Sequence, residues 1–296
     1  MTAGLSVLIP VFNWDVNELV ASLLAQGADW PGPIEIILFD DGSREEFRSL
    51  NRSLASRPGV RYHELAQNVG RAAIRNQLAA AAQHEWLLLL DNDSLLLDMR
   101  FLARYAAVRE RATVLIGGTC YAPLPPADAN LHLRWLYGRA REARPAAQRQ
   151  RAAYAQLTIN NVLLRADMLV RFPLDEQLSG YGHEDTQFGR ALAEGRISVL
   201  HLDNPVLHAG LEPAAAFLTK SEEAVRNLAQ VFRADGCGPD SRLLQTALRL
   251  RKWGIAAPVQ AALAAAAPRL RRNLLSTKPS LRAFDLLKLG WLLKLL

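Results

Sequence analysis

A run of four leucines, Leu87–Leu90, entered from Trp86 and left through Asp91-Asn92-Asp93, constrains the fold of this chain more than any other stretch. A continuous apolar segment this short suits a parallel strand covered on both faces rather than a half-exposed alternating strand. Two earlier runs, Leu5–Val11 and Ile34–Phe39, are also strand-like and mostly apolar, and Val60–His63 reads as a short strand. Asn17–Gln26 and Glu45–Ser56 lie between them and read as helices, and Asn68-Val69-Gly70-Arg71 opens an Ala-rich helix reaching Gln83. Four strands thus alternate with three helices, which predicts an α/β chain built on a Rossmann-like, mostly parallel central sheet flanked by helices.

Each strand in this series ends in polar residues: Asn13, Asp40-Asp41, Asn68 with Arg71, and Asp91 with Asp93. Parallel strands place their carboxyl ends on one sheet edge, so these groups converge on one crevice. Two carboxylates there would suit Mg²⁺ or Mn²⁺ bridging to a diphosphate. A solvated Asp-Asn-Asp turn explains that acid pair equally well in isolation; the convergence favours the site. Either Asp40 or Asp41 can accept hydrogen bonds from a base or a ribose, while Asp41 or Ser43 can equally cap a helix. Arg71 and Arg75 stand four apart on one helix, and either can face a phosphate. No GxGxxG and no GxxxxGK[ST] occurs, which argues against a dinucleotide dehydrogenase and a P-loop enzyme.

Further along, Met99–Arg111 reads as helix and Thr113–Tyr121 as strand, with Gly117-Gly118 permitting close backbone approach. Residues 122–153, rich in Pro, Arg and Ala, form an excursion that is mobile or helical without ligand. Leu157–Arg165 returns to strand, Gly180–Asp185 is a glycine-flanked acidic loop leading into a helix over Thr186–Glu194, and Ile197–Leu202 is a strand. Pro205–His208 leads to a last loop, and helices alone follow Lys220. Trp135 and Tyr137 with neighbouring arginines offer an acceptor platform, or merely a solvated charge run. His63, His84, His132 and His201 are assigned structural places.

In their order, SVLIPVFN, DDGS, NVGRAAIRN, LLLLDNDS and GYGHEDTQFGRAL resemble family 2 glycosyltransferases of the GT-A fold, over roughly Leu5 to Gly210. The resemblance implies transfer of a sugar from a nucleoside-diphosphate donor, a UDP-sugar first, with inversion at the anomeric carbon. It implies a donor pocket of Pro10, Phe12, Asn13, Asp40, Asn68, Arg71, Arg75, Asp91 and Asn92. Phe12 takes the aromatic place beside the base, where the family more often has tyrosine, and Asp40 the place that meets uracil. Asp93 becomes the direct metal ligand, with Asp91 nearer the ribose. Glu184-Asp185 matches the family's acidic pair, with Asp185 as general base. The GYGHED loop also resembles galactosyltransferase-like GT-A enzymes, in which a downstream histidine completes the metal site; His208 takes that place. Tyr181, Gly182, His183 and Asn160 fall on the acceptor side.

Physical chemistry asks for the same parts. An in-line displacement needs a base for the acceptor hydroxyl and charge compensation for the leaving diphosphate. Competing readings are a sugar-nucleotide nucleotidyltransferase, which expects a glycine- and lysine-bearing phosphate loop absent from VFNWDVNE, and a non-catalytic nucleotide-sugar-binding scaffold, which expects damaged acid motifs.

The formal charge is +6, but the stretch 233–296 holds 12 Lys/Arg against 3 Asp/Glu, so the basic excess belongs to the tail. The domain expectation is a catalytic region over 1–220, with a nucleotide-sugar half to about 98 and an acceptor half over 99–220, followed by a basic helical extension over 221–296. Within that extension, Leu281–Leu296 suits an anionic membrane surface, the favoured reading, or packing on the body or on another copy. The expected partners are a nucleotide-sugar donor and a glycan or lipid-linked acceptor, with no nucleic acid. Two cysteines, the absence of a signal peptide and the lack of any long apolar run predict a cytoplasmic protein, peripheral on the inner membrane face at most.

Overall fold

A computed structural model describes residues 4–176, 184–235 and 241–296. Seven strands form the main sheet: β1 (Leu5–Val11), β2 (Ile34–Asp40), β3 (Val60–Glu64), β4 (Trp86–Leu90), β6 (Val114–Ile116), β8 (Asn161–Arg165) and β9 (Val199–His201). Their order is β3-β2-β1-β4-β8-β6-β9. β1, β2, β3 and β4 run parallel, as do β6 and β9, while β8 lies antiparallel to both of its neighbours. The sheet is therefore mostly parallel, and β4 is buried along its whole length, as its leucine run demands.

The stretch 113–121, expected as one strand, is two. Gly118 adopts φ +91, and the chain breaks there into β6 and a short β7 (Thr119–Cys120) in a different sheet. A positive φ cannot continue a strand, and glycine takes it at little steric cost. Pro205–His208, expected only to lead into a loop, contributes β10 (Val206–His208). It pairs antiparallel with β5 (Ser94–Leu96) and parallel with β7, giving a three-stranded second sheet. Three-residue strands carry too little periodicity to be read from sequence.

The described residues divide into two compact units. The first holds 4–121, 143–176 and 184–210 and contains both sheets. Two apolar layers cover its main sheet, one around Val7, Ile9, Leu88 and Phe101, the other around Leu8, Leu87, Leu89 and Phe188. The second unit holds 122–142, 211–235 and 241–296 and is helical. Leu133, Phe217, Leu218, Phe284 and Leu287 form its first apolar cluster, and Val225, Leu228, Leu244 and Leu292 its second. The C-terminal helix, Leu281–Leu295, thus commits Phe284, Leu287 and Leu292 to internal packing. Tyr137, expected near an acceptor platform, packs its ring on Phe217 and Phe284 in the same cluster. Trp135 donates its indole N–H to the Ala122 carbonyl. No helix among the described residues is long and apolar enough to cross a membrane.

Candidate active site

The carboxyl ends of β1 to β4 are fastened to one another by side chains of the loops that follow them. Asn13 leaves β1 at φ +49, receives the Arg44 amide on Oδ1 at 2.9 Å, and donates its own amide to Ser43 Oγ at 2.8 Å. Asp41, just past β2, accepts the backbone amides of Val69 and Gly70 at 2.7 and 3.3 Å. Asn68 donates back to the Asp41 carbonyl, and Asn92, after β4, donates to the Phe12 carbonyl at 3.2 Å. Pro10 sits beyond the last residue that β1 pairs with β4, where its missing N–H breaks no bond in that ladder. Beside these links the Phe12 ring is half exposed.

Asp40 lies beneath this floor. It is fully buried and accepts from the Ser43 amide at 2.7 Å and the Tyr62 hydroxyl at 3.2 Å, with Arg48 Nε at 3.4 Å. Both of its oxygens are engaged inside the protein. Burial pushes Asp41 above the ordinary carboxylate range despite its two amide donors, and Asp40 beside it adds to the rise.

Above the floor, charged groups form a chain. Arg75 is 3% exposed, pairs closely with Asp91 and also donates to the Arg71 carbonyl. Arg71 is the more open of the two arginines: its Nη2 lies 3.6 Å from Asp91 Oδ2, and its Nε 3.3 Å from Glu184 Oε1. Burial opposes the charge on Asp91, but Arg75 and Arg71 outweigh it and hold this carboxyl below its usual range. Asp185 follows Glu184 in the first turn of the helix Glu184–Glu194. Burial, then Glu184, pushes its carboxyl up to about 7 against the pull of Arg75 and Arg71.

The second sheet makes the other half. β10 pairs with β5 so that His208 stands opposite Ser94, the residue after Asp93. His208 Nε2 comes to 3.7 Å from Asp93 Oδ2, and the Ala209 amide donates to the Asp93 carbonyl at 2.8 Å. A Cβ on Gly210 would sit 2.0 Å from Asp93 Oδ2, so only glycine leaves that carboxylate its place. The ring of Tyr121 stacks on His208 with centroids 5.4 Å apart, a contact that nothing in the sequence announces. Burial raises Asp93, Asp91 raises it further, and His208 works the other way. A carboxylate oxygen and an imidazole nitrogen at this spacing, in a cradle that a Cβ would fill, fit two ligands of a hard divalent ion that takes its remaining ligands from phosphate and water. No group of three or more metal-binding side chains occurs among the described residues.

Asn160 reaches the same edge: its carbonyl accepts the Asp91 amide at 3.2 Å and its Nδ2 donates to Thr119 Oγ1 at 2.7 Å. Its Oδ1 is buried and has no hydrogen-bond partner among the described residues. Asn161 is structural, bridging the Gly118 and Asn204 carbonyls and accepting from the Tyr105 hydroxyl. His201 is likewise internal, between Arg149 and the Ala153 carbonyl. Tyr181, Gly182 and His183 lie outside the described residues.

Comparison with known proteins follows the same lines. The family described as "Glycosyl transferase family 2" matches residues 6–162. Among solved structures, TarS from S. aureus is 18% identical, aligns over 78% of this chain with a TM-score of 0.49, and is spanned over only 40% of its own length. TarS 1–349 in complex with UDP-GlcNAc is 17% identical with a TM-score of 0.50, covering 97% of this chain and 89% of that one. The mannosyltransferase PcManGT from Pyrobaculum calidifontis, in complex with GDP-Man and Mn²⁺, is 15% identical with a TM-score of 0.58, covering 96% and 85%. No curated protein sequence matches the chain.

Proposed function

Because this chain belongs to glycosyl transferase family 2 and has the GT-A fold, we propose that it moves a sugar from a nucleoside-diphosphate donor to a hydroxyl of a glycan or lipid-linked acceptor. One observation carries the reading: Arg71 joins Asp91, at the end of β4, to Glu184, the neighbour of Asp185. That ion-pair chain sets a carboxylate of raised pKa beside the crevice formed by the strand ends.

In the proposed reaction the acceptor oxygen attacks the anomeric carbon from the face opposite the diphosphate. Its proton passes to the Asp185 carboxylate as the new C–O bond forms, and the old bond breaks with its electron pair leaving on the nucleoside diphosphate. A carboxyl raised to about 7 is half ionised near neutrality, which suits a base at that pH. Arg71, the more exposed arginine, faces the departing phosphates, and Arg75 holds Asp91 in line. Asp93 and His208 would hold a divalent cation, Mn²⁺ or Mg²⁺, which supplies charge compensation on the diphosphate. An acceptor-sugar hydroxyl would donate to Asn160 Oδ1 and supply the partner that this buried oxygen lacks. The solved complexes with UDP-GlcNAc and with GDP-Man support a nucleotide-sugar donor, and we place a UDP-sugar first.

Calorimetric titration with UDP- and GDP-sugars, with and without Mn²⁺, tests this reading. Metal-dependent binding of one donor supports it. Absence of binding to every donor by folded protein would favour a non-catalytic role.

A further inference from the structure

Within the helical unit, the helices Arg242–Lys252 and Ala256–Leu274 are joined by a turn that holds two large apolar side chains in water. Trp253 is 66% exposed and Ile255 42% exposed. The backbone fixes them there. Gly254 takes φ +72, its N–H donates to the Arg251 carbonyl at 3.0 Å, and the Ile255 N–H donates to the Leu250 carbonyl at 3.1 Å. These two crossed bonds are the Schellman ending of a helix, so the turn keeps its shape without burying either side chain.

The charge around this turn has one sign. Arg249, Arg251 and Lys252 occupy the last turn before it, all exposed, and none pairs with a carboxylate among the described residues. Elsewhere in the unit cations are matched, Lys220 by Glu212 and Arg271 by Glu222. Residues 241–284 contain nine Lys/Arg and no Asp or Glu, so no acid of this stretch offsets the turn. The helix dipole favours cations at a C-terminus, but it gives no reason for an exposed indole among them.

We propose that this turn docks the protein on an anionic lipid surface, with Trp253 and Ile255 entering the headgroup region and Arg249, Arg251 and Lys252 meeting lipid phosphates. An indole suits that boundary because its ring is apolar while its N–H finds acceptors among headgroup oxygens. Long basic side chains lay their stems along the apolar boundary and keep their charges at the phosphates. A second copy in a symmetric contact would bring the same cations face to face, and a soluble anion would leave the apolar pair in water. The sequence alone places such a contact on Leu281–Leu296, but that helix buries Phe284, Leu287 and Leu292. The inference does not depend on the sugar-transfer reading.

The test is co-sedimentation of the full chain with vesicles of phosphatidylcholine alone and of phosphatidylcholine mixed with phosphatidylglycerol. Binding should require the anionic lipid and weaken as salt rises. Arg249→Ala, Arg251→Ala and Lys252→Ala combined should lower affinity by roughly 100-fold. Trp253→Ala should lower it by about tenfold or more. Brominated lipid should quench part of the tryptophan emission of wild type, and Trp253→Phe should lose that part, which separates this turn from the C-terminal helix bearing Trp291. All four side chains are exposed, so the variants should unfold at the wild-type midpoint; if one does not, the quenching difference in the conservative Trp253→Phe carries the comparison. No binding to anionic vesicles, unchanged affinity in both alanine variants, or equal quenching in wild type and Trp253→Phe overturns the proposal. Self-association that Trp253→Ala abolishes, without vesicle binding, would also overturn it and give the turn to a second copy.

Discussion

Asp185 is held in a conflict that the fold does not relieve: burial and Glu184 disfavour its charge while Arg71 and Arg75 favour it. Two consequences can be measured. As a base it must be ionised, so kcat/KM should rise with pH through about 7 and then level. If Asp185 is the base proposed above, Asp185→Asn should keep donor affinity and lose turnover by about 10²- to 10⁴-fold, since a base acts on the acceptor proton and not on the donor. Retained turnover would move the base elsewhere. The same raised pKa makes a stability claim. A carboxyl raised on folding contributes its full share at pH below its unfolded value and loses it as pH climbs through the folded one. Asp185→Asn, neutral at every pH, should therefore melt higher than wild type at pH 8. The gap should close below about pH 4, where the aspartic acid is protonated in both states. A gap of constant size across that range would mean that the carboxyl does not titrate as described.

Short elements explain what the sequence hid. Leu87–Leu90 declares itself because four buried residues in a row have few other uses, and Asp91 and Asp93 follow from its end. β5, β7 and β10 are two or three residues each, too brief for a period, yet their pairing is what sets His208 against Asp93. The histidine was legible through the family resemblance, whereas the strand that delivers it was not. Tyr121 was missed for the same reason, since its stacking depends on a sheet that no local pattern predicts. Asp40 and Asp41 are alike in the sequence, and only tertiary packing separates them: Asp40 meets Tyr62 and Arg48, whereas Asp41 meets the Val69 and Gly70 amides. At this scale Gly210→Ala is the sharpest probe. Its Cβ would fall 2.0 Å from Asp93 Oδ2 and force that carboxylate away from His208. Metal-dependent donor binding, followed by calorimetry, should weaken by about 10- to 100-fold, as when the support of a metal ligand is removed. Unchanged affinity would remove Asp93 from the ligand set.

Across the whole molecule, the basic tail that composition singled out is part of a helical unit with its own apolar clusters. Leu281–Leu296 reads from sequence as either a surface-binding or a packing helix, because its leucines fall on several faces and Lys288 and Lys294 interrupt them. The structure buries Phe284 and Leu287 against Leu133 and Phe217, partners that lie far away in sequence and so could not be read from it. Phe284 also stacks on Phe217 with centroids 5.4 Å apart and meets Tyr137 edge-on. Truncating so large a buried ring leaves a cavity that its neighbours fill only in part. Phe284→Ala should cost about 3–5 kcal/mol of this unit's stability. Deleting Leu281–Leu296 removes Leu287 and Leu292 as well, exposing both clusters to water. Chemical denaturation of the full chain should therefore show a transition that moves to lower denaturant in Phe284→Ala, and the truncated chain should lose that transition or aggregate. A truncated chain that unfolds at the wild-type midpoint would show that the helix contributes nothing to its unit, and would free its leucines for a surface role.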